Sequence, residues 1–191
     1  MKKRTVIGFL GTRLDAGAGE DRWKKWRPTL ALCQEKDFFV DRLVLIHDRK
    51  SHPLADLIVK DIAEISPATE VEPHVLNLRD PWDFGEVYTK MRDFAKAMTF
   101  DPDTEDYFVN ITTGTHVVQI CWFLLAETRF VPARILQLSP TSLQSRSSKP
   151  NYSIIDLDLS KYDAINTRFD EEKETATSFL KRGIELSLIH I

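Results

Sequence analysis

Apolar residues along the chain alternate between short continuous runs and longer segments with a period near 3.6. Runs at 5–10, 42–47, 70–78, 107–111, 134–138 and 152–157 read as strands. Several of them are unbroken Val, Ile, Leu and Phe, as in strands covered on both faces. Between them, 53–66 carries Leu54, Leu57, Ile58, Ile62 and Ile65 on one helical face, and Pro67 ends the run. Segment 84–98 repeats the stripe with Phe84, Val87, Tyr88, Met91, Phe94, Ala95 and Met98, and Asp83 with Glu86 predicts a capping box ahead of it. A shorter helix is expected over 27–35, with Pro28 in its first turn, and another over 115–129. Strand–helix alternation of this kind predicts parallel βαβ units. The expected fold class is α/β, a Rossmann-like three-layer sandwich with a mostly parallel central sheet. The low-complexity stretch 140–151 reads as an exposed loop. A domain over 1–160 followed by a helical linker over 161–191 is expected, the helix lying near 171–181 and the last apolar residues reading as a severed linker or a non-native tail.

The helix at 115–129 departs from the amphipathic pattern. Val117, Val118, Ile120, Cys121, Trp122, Phe123, Leu124, Leu125 and Ala126 make it apolar on nearly every face. A helix covering a sheet needs only a stripe. The surplus points to a homodimer through this helix, with deep burial inside one chain as the alternative.

Composition narrows the classes. The 191 residues are 42% apolar, enough to bury a core, and 26 basic against 29 acidic side chains exclude a uniformly basic duplex-DNA binder. The charge is uneven, however. Residues 1–27 hold eight basic side chains against Asp15, Glu20 and Asp21. The two cysteines, Cys33 and Cys121, lie in apolar stretches and read as reduced core residues of a cytoplasmic protein. The apolar run behind the basic start is too short for a signal peptide or a membrane span, so no membrane association is expected.

Two loops carry candidate chemistry. Gly8-Phe9-Leu10-Gly11-Thr12-Arg13 closes the first strand, and its glycines suit either a turn whose backbone approaches a phosphate or a plain tight turn. Asn110-Ile111-Thr112-Thr113-Gly114-Thr115-His116 joins the fourth strand to the apolar helix. Its hydroxyls and helix-end amides suit an anion, whereas capping by Thr113 needs only one of them. In an open parallel sheet both loops meet where the winding reverses. Trp23 and Trp26, among Arg22, Lys24, Lys25 and Arg27, suit either base stacking or packing of the loop onto the domain. His47, His52 and His74 lack metal-ligand spacing and read as surface or capping residues. The stretch 79–83 reads as a structural turn. No cofactor is expected: the G-x-G-x-x-G fingerprint is incomplete, no acid lies about 20 residues beyond Gly11, and no phosphate-binding G-x-x-x-x-G-K-[ST] occurs.

The first loop, the run Asp80-Pro81-Trp82-Asp83-Phe84, and the second loop with Gln119-Ile120-Cys121-Trp122-Phe123 together resemble a family. They are similar to the amino-terminal sensor domains of transcriptional regulators of the RNA 3′-terminal phosphate cyclase operon, within the CARF (CRISPR-associated Rossmann fold) superfamily. The resemblance covers roughly residues 5–183. It implies a homodimer that binds an RNA or oligonucleotide ligand through Gly11, Thr12, Arg13, Thr112, Thr113, Gly114, Thr115 and His116. Asn110 completes the second loop, and Trp23, Lys24, Ser139 and Arg146 are additional candidates. It further implies a longer protein in which an AAA+ ATPase, working with sigma-54 RNA polymerase, and a DNA-binding helix-turn-helix follow the sensor. Many superfamily members end the second loop in Lys or Arg. His116 in that place shifts the expected ligand from cyclic oligoadenylate toward RNA ends, such as a 2′,3′-cyclic phosphate. The rival within the superfamily is a metal-independent ribonuclease, with Thr113, Arg13 and His116 acting on a bound oligonucleotide and no separate catalytic residue assigned.

Overall fold

A computed structural model of the chain describes residues 2–17, 19–140 and 151–155. Six strands form one sheet: β1 (Lys3–Phe9), β2 (Arg42–His47), β3 (Glu70–Val75), β4 (Glu105–Asn110), β5 (Ala133–Leu138) and β6 (Tyr152–Ile155). Their order is β3-β2-β1-β4-β5-β6. The first five run parallel, and β6 pairs antiparallel with β5. The helices are α1 (Pro28–Cys33), α2 (His52–Ile65), α3 (Phe84–Ala97) and α4 (His116–Glu127). Two 3-10 turns, Glu20–Lys24 and Arg49–Ser51, were not legible in the sequence, because one turn carries too little periodicity to register.

The α/β expectation holds. Val6, Leu43, Leu45, Phe108 and Leu136 project to one face, where Leu30 and Leu32 of α1 and Ile58 and Ile62 of α2 cover them. The alternate positions, Ile7, Val44, Ile46 and Val109, turn to the other face, where α3 and α4 contribute Val87, Met91, Trp122 and Leu125. The chain winds outward from β1 through β2 to β3, crosses, and winds the other way from β4 to β5. The reversal therefore falls between β1 and β4. Edge strand β3 tolerates Pro73 and stops at Val75, three residues short of the expected end, where the Leu76 amide donates to the His47 carbonyl.

Helix α4 divides the two readings of its apolar surface. Val118, Cys121, Trp122 and Leu125 are buried in the chain's own core, while Ile120 is 51% and Leu124 40% exposed. Burial pushes the Cys33 thiol up to about 12 and that of Cys121 to about 11, so neither is a reactive thiolate near neutrality. The capping box ahead of α3 is half formed. Asp83 accepts from the Glu86 amide (2.8 Å), but the Glu86 carboxylate turns back to the amides of Arg79 (2.7 Å) and Asp80 (3.3 Å). No helix among the described residues is long and apolar enough to cross a membrane. The expected linker and tail lie outside the described residues.

Candidate functional site

A crevice of about 600 Å³ opens at the carboxyl ends of β1 and β4. It is lined by Gly11, Thr12 and Arg13 from the first loop and by Thr112 to His116 from the second, so the topology brings together the two loops the sequence singles out. How they are held differs from the sequence reading.

The Gly11 amide is not open to a ligand: it donates to Asp15 Oδ2 at 2.8 Å, while the Asp15 amide donates back to the Gly11 carbonyl at 2.7 Å. The same carboxylate accepts from the Thr29 amide (2.9 Å) and the Thr29 hydroxyl (2.7 Å), and Arg27 Nε donates to the Asp15 carbonyl (2.9 Å). Asp15 is fully buried. Burial pushes its carboxyl up, against the bonds from Thr29 and Gly11 that favour the charged form. A Cβ on Gly11 would lie 2.8 Å from both Asp15 Oδ2 and Thr113 Cγ2, so glycine is needed there because the two loops touch. The residues left to meet a ligand are Thr12 and Arg13, both exposed, whose backbone N–H groups donate to nothing among the described residues.

In the second loop the hydroxyls are engaged with protein. Thr112 Oγ1 accepts from the Leu138 amide (2.8 Å), buried Thr113 donates to the Phe9 carbonyl, and Thr115 Oγ1 donates to the Pro81 carbonyl (2.9 Å). The N-cap of α4 is Thr115, accepting from the Val118 amide (3.2 Å), and not Thr113. Asn110 is buried opposite Gly8 and accepts from the Thr112 amide (2.9 Å), so it shapes the loop and does not line the crevice. Gly114 sits at φ +94°, which favours glycine. The amides of Gly114, Thr115 and His116 point no bond at any described residue, and they stand at the positive end of α4. The donors left for an anion are thus backbone amides; the threonines hold the loop in place. His116 is exposed at the first helical position.

A third wall was missed in the sequence. The turn at 79–82, read there as purely structural, brings Arg79, Pro81 and Trp82 to the crevice, with Trp82 62% exposed. It is fixed by Glu86, by Asp80 Oδ1 accepting from the Trp82 amide (2.9 Å), and by the bond from Thr115. The Arg79 amide holds the Glu86 carboxyl below its usual range. From the end of β2 come His47 and Lys50. His47 is neither a surface nor a capping residue. It is buried, its Nδ1 lies 2.8 Å from the Asp48 carbonyl, and its Nε2 has no partner among the described residues. His74 packs on Phe94, and burial lowers its pKa. An exposed tryptophan two residues before a helix was the available signal for this wall.

The expected concentration of charge from residues 1–27 is reduced by pairing. Arg22 (3.0 Å) and buried Arg27 both bind Asp61 of α2, and Lys24 pairs with Asp21 (2.8 Å). Burial pushes the Asp61 carboxyl up, but the two guanidinium groups outweigh it and hold the group below its usual range. The basic groups that line the crevice are Arg13, Lys50 and Arg79. Trp23 and Lys24 lie in a separate cleft, Ser139 lines neither cavity and donates its amide to the Asn151 carbonyl (2.8 Å), and Arg146 lies outside the described residues.

Known proteins resemble the chain in sequence and in fold. The chain is 52% identical over 186 residues to the transcriptional regulatory protein RtcR of Escherichia coli K12, an alignment covering 96% of this chain and 35% of that protein. The chain thus spans about a third of its relative's length. Among solved structures it resembles Enterococcus italicus Csm6 bound to cyclic hexa-2′-fluoro-hexa-dAMP, with a TM-score of 0.60 at 16% identity over 85% of this chain and 43% of that one. Can2 of Sulfobacillus thermosulfidooxidans, in complex with cyclic tetra-adenylate, aligns with a TM-score of 0.49 at 12% identity over 74% of this chain and 33% of that one. The profile of the family described as Regulator of RNA terminal phosphate cyclase matches residues 2–183, and with these motifs in place the chain belongs to that family, RtcR.

Proposed function

We propose that this chain is the ligand-sensing domain of a transcription activator of an RNA repair operon, and that its crevice binds an RNA or oligonucleotide end. The observation that carries the proposal is the set of amides at Thr12, Arg13 and Gly114–His116 that donate to nothing among the described residues, in loops lining a cavity edged by Arg13, Lys50, Arg79 and the exposed indole of Trp82. Backbone amides at a helix end bind phosphate, the cations neutralise it, and an exposed aromatic ring stacks a base. The name of the E. coli relative supports a regulatory role, and the nucleotide ring bound to the Csm6 relative supports this class of ligand. In the longer protein, ligand binding would relieve repression of an attached AAA+ ATPase acting with sigma-54 RNA polymerase in the cytoplasm, ahead of a DNA-binding helix-turn-helix. The exposed Ile120 and Leu124, one helical turn apart on α4, support a homodimer that sets two crevices near its axis.

The test is titration of labelled oligoribonucleotides ending in 2′,3′-cyclic phosphate, 3′-phosphate or 3′-hydroxyl, with cyclic hexaadenylate alongside, over a range of salt. The cyclic-phosphate end should bind tightest. Arg13→Ala should weaken it about tenfold and flatten the slope of log affinity against log salt by nearly one charge. Salt-independent affinity, or a preference for 3′-hydroxyl ends, would refute the proposal. Cleavage of the bound strand by wild type, lost in His116→Ala with binding retained, would replace the sensor by a ribonuclease.

A further inference from the structure

A second cleft, of about 710 Å³, is lined by the first 3-10 turn and by α1 with the residues that follow it. The first stretch of the β1–α1 connection, Gly11 to Leu14, lines the crevice, and the later stretch, Arg22 to Arg27, lines this cleft. Five basic side chains face it against two acidic ones. Lys25 and Lys36 form no ion pair among the described residues, unlike Arg22, Arg27 and Lys24, which are already paired.

The two tryptophans in this wall do different work. Trp26 packs against the core and anchors the segment, which is the bland role the sequence allowed for both. Trp23 does not. Its ring lies under the Arg22 guanidinium at 4.9 Å, and Arg22 is fixed by Asp61 through Nε (3.1 Å) and Nη2 (3.0 Å), yet the residue remains 38% exposed. The guanidinium thus holds the indole, and the ring remains part-exposed in the cleft lining, where it can serve as a stacking surface. The cleft wall also holds a donor without an acceptor. Arg27 uses Nε on the Asp15 carbonyl and Nη1 on Asp61, while its Nη2 is buried and donates to nothing among the described residues.

We propose that this cleft is a second nucleotide subsite, in which single-stranded RNA whose end occupies the crevice crosses the β1–α1 connection and stacks a base on Trp23, with its phosphates beside Lys25 and Lys36. The inference rests on the RNA reading of the crevice and adds to it a dependence on strand length. The subsite shares one rigid connection with the crevice, since Asp15 and Arg27 tie the phosphate loop to the cleft wall.

The experiment compares a tetranucleotide and a dodecanucleotide of the same composition, both ending in 2′,3′-cyclic phosphate, on wild type, Trp23→Ala, Trp23→Phe and Lys25→Ala, with thermal melts confirming the fold. Wild type should bind the longer strand more tightly. Trp23→Ala should weaken the dodecanucleotide about tenfold, the size of one lost base stack, and leave the tetranucleotide unchanged. Trp23→Phe should restore most of the loss, and Lys25→Ala should lower the salt slope for the longer strand alone. Equal affinity of wild type for the two strands, or unchanged dodecanucleotide binding in both Trp23→Ala and Lys25→Ala, would overturn the second subsite and leave the crevice reading intact. Binding of neither strand by wild type would overturn both.

Discussion

Replacing Asp15 by alanine tests the frame that sets the first loop. The carboxylate is fully buried and accepts from the Gly11 amide, the Thr29 amide and the Thr29 hydroxyl. The hydroxyl can rotate to another acceptor, but the two backbone amides cannot. Each buried N–H left unpaired costs about 1–3 kcal/mol. The loss is offset in part because alanine removes a carboxylate whose burial disfavours its charge, so a net destabilisation of about 2–4 kcal/mol is expected. Asp15→Asn keeps one acceptor oxygen for one of the two amides and should lose about 1–2 kcal/mol. Urea unfolding at neutral pH, followed by circular dichroism with the slopes compared, measures both. Crevice binding should fall in parallel, since Thr12 and Arg13 lose their anchor. The pH dependence has a definite sign. Burial raises the Asp15 carboxyl above its ordinary 3.8 in the folded chain, so the folded state holds that proton more tightly than the unfolded one. Its contribution is therefore full below 3.8 and declines as pH rises through the raised value, and the gap between wild type and Asp15→Asn should narrow over that window. An alanine variant within about 0.5 kcal/mol of wild type, or an asparagine variant less stable than the alanine one, would refute this account of the loop.

Asp61→Asn leaves buried Arg27 without its counter-charge and should cost about 3–5 kcal/mol by urea unfolding. Because Asp61 is held below 3.8, wild type should lose stability as pH falls through that lowered value, a loss the variant should not share. Thr115→Ala removes the α4 cap and the bond to Pro81, and should cost about 1–2 kcal/mol, with Thr115→Ser recovering most of it in thermal melts. Trp122→Glu buries a charge in the core and should abolish folding, whereas Ile120→Glu and Leu124→Glu should keep the melting temperature and weaken self-association in sedimentation velocity; a wild-type monomer at tens of micromolar would refute the dimer.

The sequence by itself determined the elements and their class. Among the described residues, six strands and four helices lie where the apolar periodicity places them, within a few residues at each end, because a strand covered on both faces and a helix covering a sheet have different apolar periods. It also located both crevice loops, since the winding reversal follows from element order and the usual handedness of crossovers. Which group in each loop does what was decided only by tertiary structure. Gly11, Thr113, Thr115 and Thr112 look like ligand contacts in sequence, yet they are bound to Asp15, Phe9, Pro81 and Leu138 respectively, partners of which the last three are distant in the chain. The local excess of positive charge fails for the same reason, because Asp61, 34 residues beyond Arg27, cancels part of it. The third wall of the crevice joins 79–82 to 112–116 through a single hydroxyl–carbonyl bond. Periodicity is a property of neighbours along the chain, whereas a hydrogen-bond partner is fixed by packing in space, and so the elements are legible one-dimensionally and the donors left for a ligand are not.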